Sequence, residues 1–193
     1  GADQLRYFFM REMPIGSDGN FSNQSLMSRI NSELANSIGN LVQRTVAFLH
    51  KELDGIVPEI DLDLFIDEHQ LPEYESIRNS AIEKILSYKL DGVILLILSI
   101  SSSANDYIDK SAPWKLSKTD RNLMKVVLYK LLEYIRCIGI LLQPFTPNAS
   151  DAILNQLMIP KDERRFDNLS IQYAVTQGAV LPKPNPIFAK IRY

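Results

Sequence analysis

Ten prolines limit where helices can form in this chain of 193 residues. A proline inside an α-helix removes a backbone hydrogen bond and clashes with the preceding turn, at a cost of about 3 kcal/mol. Three long stretches remain free of proline, and each of them has room for at least one helix. The prolines stand at positions 14, 58, 72, 113, 144, 147, 160, 182, 184 and 186.

Apolar residues recur at spacings of three and four in each stretch, which predicts amphipathic α-helices. Ser22 is a suitable N-cap for the first helix, and Asp91-Gly92 predicts a break in the second stretch. Thr146 and Pro147 predict the start of a short helix that runs through Leu157. We therefore predict an all-α fold, an antiparallel helical bundle with an extended C-terminal tail. In the first stretch the periodic positions are Leu26, Ile30, Leu34, Ile38, Leu41, Thr45 and Phe48.

The charges are unevenly distributed along the chain. The formal net charge is only −2, which argues against a protein that binds nucleic acid through charge alone. Residues 51–112 nevertheless carry five basic and thirteen acidic side chains, whereas residues 113–193 carry twelve basic and six acidic ones. A basic C-terminal third is compatible with local recognition of a polyanion.

Composition excludes several other classes of protein. The longest apolar run, Val93 to Leu98, is far too short to span a membrane. The single cysteine, Cys137, lies in an apolar stretch, which predicts a buried thiol in a reducing, cytoplasmic compartment. Since the chain begins with Gly1 and enters an apolar pattern almost at once, we expect it to be a piece of a longer polypeptide.

Catalytic and metal-binding patterns are absent from the sequence. The two histidines, His50 and His69, have no cysteine or histidine neighbours at the spacing of metal ligands. We expect both to be exposed and structurally neutral. Neither a G-x-G-x-x-G nor a G-x-x-x-x-G-K-[ST] loop occurs, so we expect no phosphate-binding loop and no cofactor or metal in this chain.

A polar ladder breaks the amphipathic pattern of the first long helix. Asn36, Asn40 and Arg44 follow one another at intervals of four residues, so an α-helix would place them along one face. Such a ladder is often no more than a solvated helix face. Amides and guanidinium groups nevertheless suit the reading of a base edge, because each makes paired hydrogen bonds in one plane.

The only tryptophan, Trp114, follows Pro113 at the predicted end of a helix. A lone tryptophan is often a core anchor, but this one adjoins a stretch of net charge +4, residues 113–130. An aromatic side chain beside a basic patch is suited to stacking on an unpaired base. The basic residues of the patch are Lys115, Lys118, Arg121, Lys125 and Lys130.

Four blocks of sequence resemble the methionyl-tRNA synthetase family, in its C-terminal helical anticodon-binding domain. They come in the family's order and cover most of the chain. The blocks are Asp3 to Phe8 with Arg11 to Pro14 and Asp18 to Ser22; Asn36 to Arg44; Ala104 to Ile108 with Ala112 to Trp114; and Leu142 to Pro147.

The resemblance implies a role for particular residues. It implies that Trp114 stacks on an anticodon base and that Asn40 and Arg44 read the first anticodon cytosine of a CAU loop. Asn105 and Tyr107 are then expected to support the corner at Pro113 and Trp114. Further expected RNA contacts are Asn36, Lys115, Lys118 and Arg121.

The resemblance also implies an organisation for the chain. Residues 1–21 would link to a catalytic domain, residues 22–159 would form the anticodon-binding bundle, and residues 160–193 would be a tail packed on the bundle or on the catalytic domain. The partners implied are a methionine tRNA and the catalytic domain of the same polypeptide, in a monomer without a membrane. The full-length enzyme would use ATP and magnesium to ligate methionine to its tRNA, but this piece lacks the family's catalytic motifs and is expected to be inactive alone.

Two alternatives remain open at this point. The chain could be the equivalent bundle of a related class I synthetase, for isoleucine, valine, leucine or cysteine. It could also be a helical protein-interaction module in which Trp114 and the proline-rich tail contact a partner protein.

Overall fold

The computed structural model describes residues 1–16, 18–19, 21–61 and 72–191. Within these residues the architecture is all-α, as predicted, with an isolated β-bridge between Ile56 and Val180. None of the helices described is long and apolar enough to cross a membrane. The elements are α1 (Ala2–Glu12), α2 (Asn23–Arg29), a π-helical segment (Ile30–Gly39), α3 (Asn40–Leu53), α4 (Tyr74–Leu86), α5 (Leu90–Ser111), α6 (Pro113–Thr119), α7 (Arg121–Leu142) and α8 (Pro147–Gln156).

Helix α7 is the centre of the bundle and packs against α3, α5, α6 and α8. Its apolar residues from Val127 to Leu142 are almost all buried, as is Cys137, which is the pattern of a helix surrounded by others. Burial raises the pKa of the Cys137 thiol to about 12. Asp120 caps the helix by accepting a hydrogen bond from the amide of Leu123 (3.0 Å).

A close approach between α7 and α8 explains one of the glycines. A Cβ atom at Gly139 would lie 2.8 Å from the side chain of Leu154, inside normal contact distance. The hydroxyl of Ser150 donates to the carbonyl oxygen of Gly139 across the same contact (2.5 Å). A larger side chain at position 139 would therefore push the two helices apart.

The first long helix differs from the prediction at its centre. Ser22 caps α2 as expected, accepting from the amide of Ser25 (3.0 Å), but residues Ile30–Gly39 are π-helical and not α-helical. The amide of Asn40 reaches back five residues to the carbonyl of Ala35, the wider turn that defines a π-helix. The break predicted in the second proline-free stretch is displaced, because residues 87–89 separate α4 from α5 and Asp91-Gly92 lies inside α5.

Helix α1 (Ala2–Glu12) packs onto the bundle. Tyr7 and Phe8 are fully buried, and the Tyr7 hydroxyl donates to the carboxylate of Glu33 in the π-helical segment (2.8 Å). The carboxylate of Asp3 accepts from the backbone amide of Ala149 in the first turn of α8 (2.8 Å), where an acidic group is favoured by the helix dipole.

The tail from residue 160 lies along the bundle. It begins with three single-turn 3₁₀ helices (Lys161–Glu163, Phe166–Asn168 and Ile171–Tyr173) and has no helix in its described part after that. The carbonyl oxygen of Pro182 is hydrogen-bonded by Gln156 and by the His50 ring. His50 is partly buried and bonds to the tail, so the prediction that it is exposed and structurally neutral is wrong. His69 lies outside the described residues.

A fully buried ion pair anchors the start of the tail. Glu133 and Arg136 are one turn apart on α7, and both side chains are completely inaccessible. Arg136 also donates to the carbonyl oxygens of Asn168 (3.1 Å) and Ser170 (3.0 Å), while Glu133 accepts from the amide of Val175 (2.7 Å). The pair therefore provides hydrogen-bond partners for backbone groups of the tail that have no partner within a regular helix.

Candidate nucleic-acid interface

A sharp corner between α5 and α6 presents Trp114 to solvent. Ala112 ends α5 in the left-handed region (φ 44°), and Pro113 then occupies the first turn of α6, where its missing amide costs no hydrogen bond. Pro113 is buried, whereas Trp114 is 42% exposed. The tryptophan is therefore not a core anchor, and its ring is available to a ligand.

Arg44 of α3 lies next to this tryptophan. Its guanidinium carbon is 6.0 Å from the centroid of the Trp114 ring, the outer limit of a cation–π contact. Its Nη2 donates to Oδ1 of Asp109 on α5 at 2.8 Å. Arg44, Asp109 and Trp114 come from three helices, and we call this group the tryptophan corner.

Asn36 and Asn40 precede Arg44 along the same helical rod, and both are exposed. Asn40 is the first residue of α3, one turn before Arg44, while Asn36 belongs to the π-helical segment. Because the rod changes from π to α geometry at Gly39 and Asn40, Asn36 is not in the α-helical register that the ladder assumes.

The two residues expected to support the corner have different surroundings. The side-chain amide of Asn105 donates to the carbonyl oxygen of Ser101 (2.8 Å) and lies 3.5 Å from that of Ser37 in the π-helical segment. Tyr107 is half-buried one turn before Ser111, the last residue of α5, and burial raises the pKa of its phenol. The ring of Tyr107 contacts Lys130 of α7, while the bonds of Asn105 run within α5 and from α5 to the π-helical segment.

Two of the predicted basic contacts lie on the same short helix as Trp114. Lys115 and Lys118 on α6 are exposed. Arg121 is also exposed, but its guanidinium donates to the carbonyl oxygen of Glu52 (2.7 Å) near the end of α3. The prediction that Lys130 belongs to this exposed patch is wrong, because its side chain is buried with 9% exposure.

Asp109 is the member of the corner that the sequence analysis did not single out. An acidic residue near the end of an amphipathic helix is usually a solvated side chain, and only the packing of α3 on α5 brings it to Arg44. Its position five residues before the tryptophan, close to Asn105 on the same helix, is the only sequence signal that could have identified it.

The corner combines three functions that suit an unpaired base. The ring of Trp114 offers a stacking face, Arg44 offers planar paired donors, and the carboxylate of Asp109 is an acceptor fixed beside them. Among the residues described, no group of three or more His, Cys, Asp or Glu side chains is placed to hold a metal ion.

Comparison with protein families gives two matches. The family described as the anticodon binding domain of methionyl tRNA ligase matches residues 96–193, which includes Asp109 and Trp114. The family described as class I tRNA synthetases (M) matches residues 1–46, which includes Asn40 and Arg44.

Individual relatives agree with these matches. The chain is 44% identical to the methionine–tRNA ligase of Rickettsia felis and 42% identical to that of Rickettsia bellii, each over 98% of the chain and 38% of the relative's length. It also superposes on the free form of Mycobacterium tuberculosis methionyl-tRNA synthetase with a TM-score of 0.85 and 29% identity, over the whole chain and 39% of that protein.

A second structure of the Mycobacterium tuberculosis enzyme, bound by methionyl-adenylate, matches 98% of the chain with a TM-score of 0.83 and 30% identity. These matches favour the methionine family over the other class I synthetases and over an unrelated interaction module. The chain spans about two-fifths of the length of its relatives. It belongs to the methionyl-tRNA ligase family, in which its C-terminal half matches the anticodon-binding domain.

Proposed function

We propose that this chain binds the anticodon loop of a methionine tRNA and reads the first base of its CAU anticodon. The observation that carries the proposal is the tryptophan corner, where Arg44 and Trp114 lie 6.0 Å apart on an exposed surface. In a chain of this family, that pairing of a guanidinium with an aromatic face is the chemistry needed to hold and identify an unpaired base.

Cytosine fits the hydrogen-bonding groups of the corner better than uracil. Its pairing edge has two adjacent acceptors, O2 and N3, which match the donors of Arg44, and an amino group that matches the acceptor Asp109. Uracil would instead direct its N3–H at the guanidinium and its O4 at the carboxylate. Unpaired groups of this kind cost about 1–3 kcal/mol, which corresponds to roughly 5- to 150-fold in affinity.

The surrounding charges support RNA binding at this surface. Lys115 and Lys118 are exposed beside Trp114, and lysine ammonium groups attract the phosphates on either side of a splayed base. The ion pair between Arg44 and Asp109 is largely exposed. Such a pair contributes about 0–1 kcal/mol, so Arg44 can turn toward a base at little cost.

The rest of the activity belongs to the longer polypeptide in this proposal. A cytoplasmic, monomeric methionine–tRNA ligase would activate methionine with ATP and magnesium in its catalytic domain, and the present chain would select the tRNA. The residues described offer no acidic cluster for magnesium, so we assign no step of that chemistry to them.

A binding titration tests the proposal. We would measure fluorescence anisotropy of a labelled RNA hairpin with a CAU loop against the wild-type chain and Trp114→Ala. The variant should bind about 5- to 150-fold more weakly, since stacking on one base contributes about 1–3 kcal/mol.

Tyr88→Ala is the matched control, because Tyr88 is an aromatic residue with 73% exposure in the turn between α4 and α5. This control should bind within about twofold of wild type. Equal affinity of the wild type and Trp114→Ala for the CAU hairpin would show that the corner does not hold the base.

A further inference from the structure

Lys130 is a buried cation without an anionic partner. It lies on the central helix α7 with only 9% exposure, and its Nζ is 4.5 Å from the ring centroid of Tyr107. Within the described part of the chain the ammonium makes neither an ion pair nor a hydrogen bond. Buried charges in proteins are normally paired, and burial lowers the pKa of Lys130 with no neighbouring charge to oppose it.

Lys130 also lines a groove that opens between α4, α5 and α7. The groove has a volume of about 300 Å³, at the lower end of the range for small-molecule sites. One wall is apolar and is formed by Ile77, Leu96 and Ile100, while Ser103 and Tyr134 contribute hydroxyl-bearing side chains to the lining. A cation opposite an apolar wall favours a ligand with one charged end and one apolar end.

The phenol of Tyr134 strengthens the preference for an anion. Burial, together with nearby Cys137 and Glu73, raises the pKa of Tyr134, so its hydroxyl stays protonated and is able to donate. Glu73 lines the same groove, but within the described part of the chain it forms no ion pair with Lys130. The groove therefore combines one cation and a hydroxyl donor with the carboxylate of Glu73, so it suits a monoanion better than a dianion.

We propose that this groove binds a small organic monocarboxylate, whose carboxylate pairs with Lys130 and whose apolar body packs on Ile77, Leu96 and Ile100. The site is separate from the tryptophan corner and does not depend on RNA binding. The ligand class is an aromatic or branched aliphatic acid of about the size of benzoate.

Benzoate and its neutral analogue benzamide provide the test. We would titrate each into the wild-type chain, measuring heat by calorimetry and the lysine ε-methylene signals of ¹³C-lysine-labelled protein by NMR. Benzoate should bind saturably and raise the pKa at which the Lys130 signal titrates. Benzamide should bind about tenfold more weakly or worse, since it lacks the charge-assisted hydrogen bond.

Three variants isolate the groove. Lys130→Met keeps most of the buried stem but removes the charge, and should weaken benzoate binding about tenfold or more. Ser103→Phe alters an exposed residue and blocks the groove with Lys130 intact, so it should also abolish binding. Lys125→Met is the matched control on the same helix, and should leave benzoate binding unchanged because Lys125 lines a different groove, beside Arg121.

Several results would overturn the proposal: no saturable response to benzoate, equal binding of benzamide, or benzoate binding that survives both Lys130→Met and Ser103→Phe. Tighter binding of inorganic phosphate than of benzoate at the Lys130 signal would overturn the assignment to carboxylates.

Discussion

The guanidinium of Arg44 and that of Arg136 show two uses of the same group. Arg44 pairs with Asp109 at the surface, where 42% of its side chain and 63% of its partner's are exposed. Arg136 pairs with Glu133 where neither side chain is exposed at all. The exposed ion pair is weak enough for Arg44 to leave Asp109 and bind a ligand. The buried ion pair, by contrast, contributes to the stability of the fold, because removing one partner would leave the other charge buried and unpaired.

Replacing each arginine by methionine should separate these roles. Arg136→Met leaves the Glu133 carboxylate buried without its partner, so we expect the free energy of unfolding to fall by about 3–5 kcal/mol. Arg44→Met should lower it by about 1 kcal/mol at most. Urea unfolding followed by circular dichroism measures both changes, and equal effects would contradict the distinction.

Tyrosine burial makes the stability sensitive to high pH. Burial and the charge of Glu133 raise the pKa of Tyr74, and burial likewise raises the pKa values of Tyr7 and Tyr129. The unfolded chain releases these protons near pH 10, while the folded chain keeps them. Stability is therefore complete below about pH 10 and falls above it, by about 1.4 kcal/mol per pH unit for each tyrosine.

Tyr74→Phe should reduce the loss of unfolding free energy per pH unit above about pH 10 by the contribution of one tyrosine. Urea unfolding at several pH values between about 9 and 12 gives the slope for each protein. Phenylalanine also loses the hydrogen bond from Tyr74 to Glu133 (2.5 Å), which lowers stability at every pH but does not change the slope. An unchanged slope in the variant would contradict the assignment.

A candidate site residue could be selected from the sequence only where its residue type departs from the local amphipathic pattern. Trp114, Arg44 and Asn40 stand out in the sequence because a lone tryptophan after proline and a polar ladder break the helical pattern. Asp109 and Lys130 could not, since an acid and a lysine on amphipathic helices look solvated until tertiary packing places one beside Arg44 and the other beneath Tyr107.

At the scale of elements, the corner depends on how α6 is joined to its neighbours. Asp120 is the residue between α6 and α7 and caps α7 with its side chain. Asp120→Ala should lower the free energy of unfolding by about 0.5–2 kcal/mol, because the Leu123 amide loses its acceptor. Asp120→Asn keeps a side-chain acceptor and should lower the free energy of unfolding by less. Thermal unfolding of the wild type and the two variants measures the difference. A cost as large for asparagine as for alanine would argue against capping.

The helices themselves could be predicted well, since proline positions and apolar spacing depend only on sequence. The π-helical segment could not, because apolar residues at Ile30, Leu34 and Ile38 suit either helix. Its wider turn coincides with contacts from distant parts of the chain: Asn31 exchanges hydrogen bonds with the backbone of Ile191, and Ser37 with Ser101. Such long-range contacts leave no local pattern.

At the scale of the whole molecule, the uneven charge should direct RNA to one face. Neutralising three basic residues of the stretch 113–130 should weaken RNA binding and reduce the dependence of the affinity on salt. The logarithmic slope should fall by about 0.7 for each phosphate that no longer has a cation beside it. Neutralising three lysines elsewhere should change little. Arg121 is left unchanged because its guanidinium already bonds to the carbonyl oxygen of Glu52. The test variant carries glutamine at Lys115, Lys118 and Lys125. The control variant carries glutamine at Lys51, Lys84 and Lys89.

Titration of both sets at several salt concentrations gives the two slopes. If the two triple variants bind the CAU hairpin alike, the charge gradient along the chain has no part in recognition.

The central claim is that Arg44 distinguishes cytosine from uracil at the first anticodon position. The most direct measurement is the ratio of affinities for CAU and UAU hairpins, in the wild-type chain and in Arg44→Gln. We predict that wild type prefers CAU by roughly 5- to 150-fold and that the variant loses most of this preference. Equal affinity of wild type for the two hairpins, or an unchanged preference in Arg44→Gln, would contradict the account.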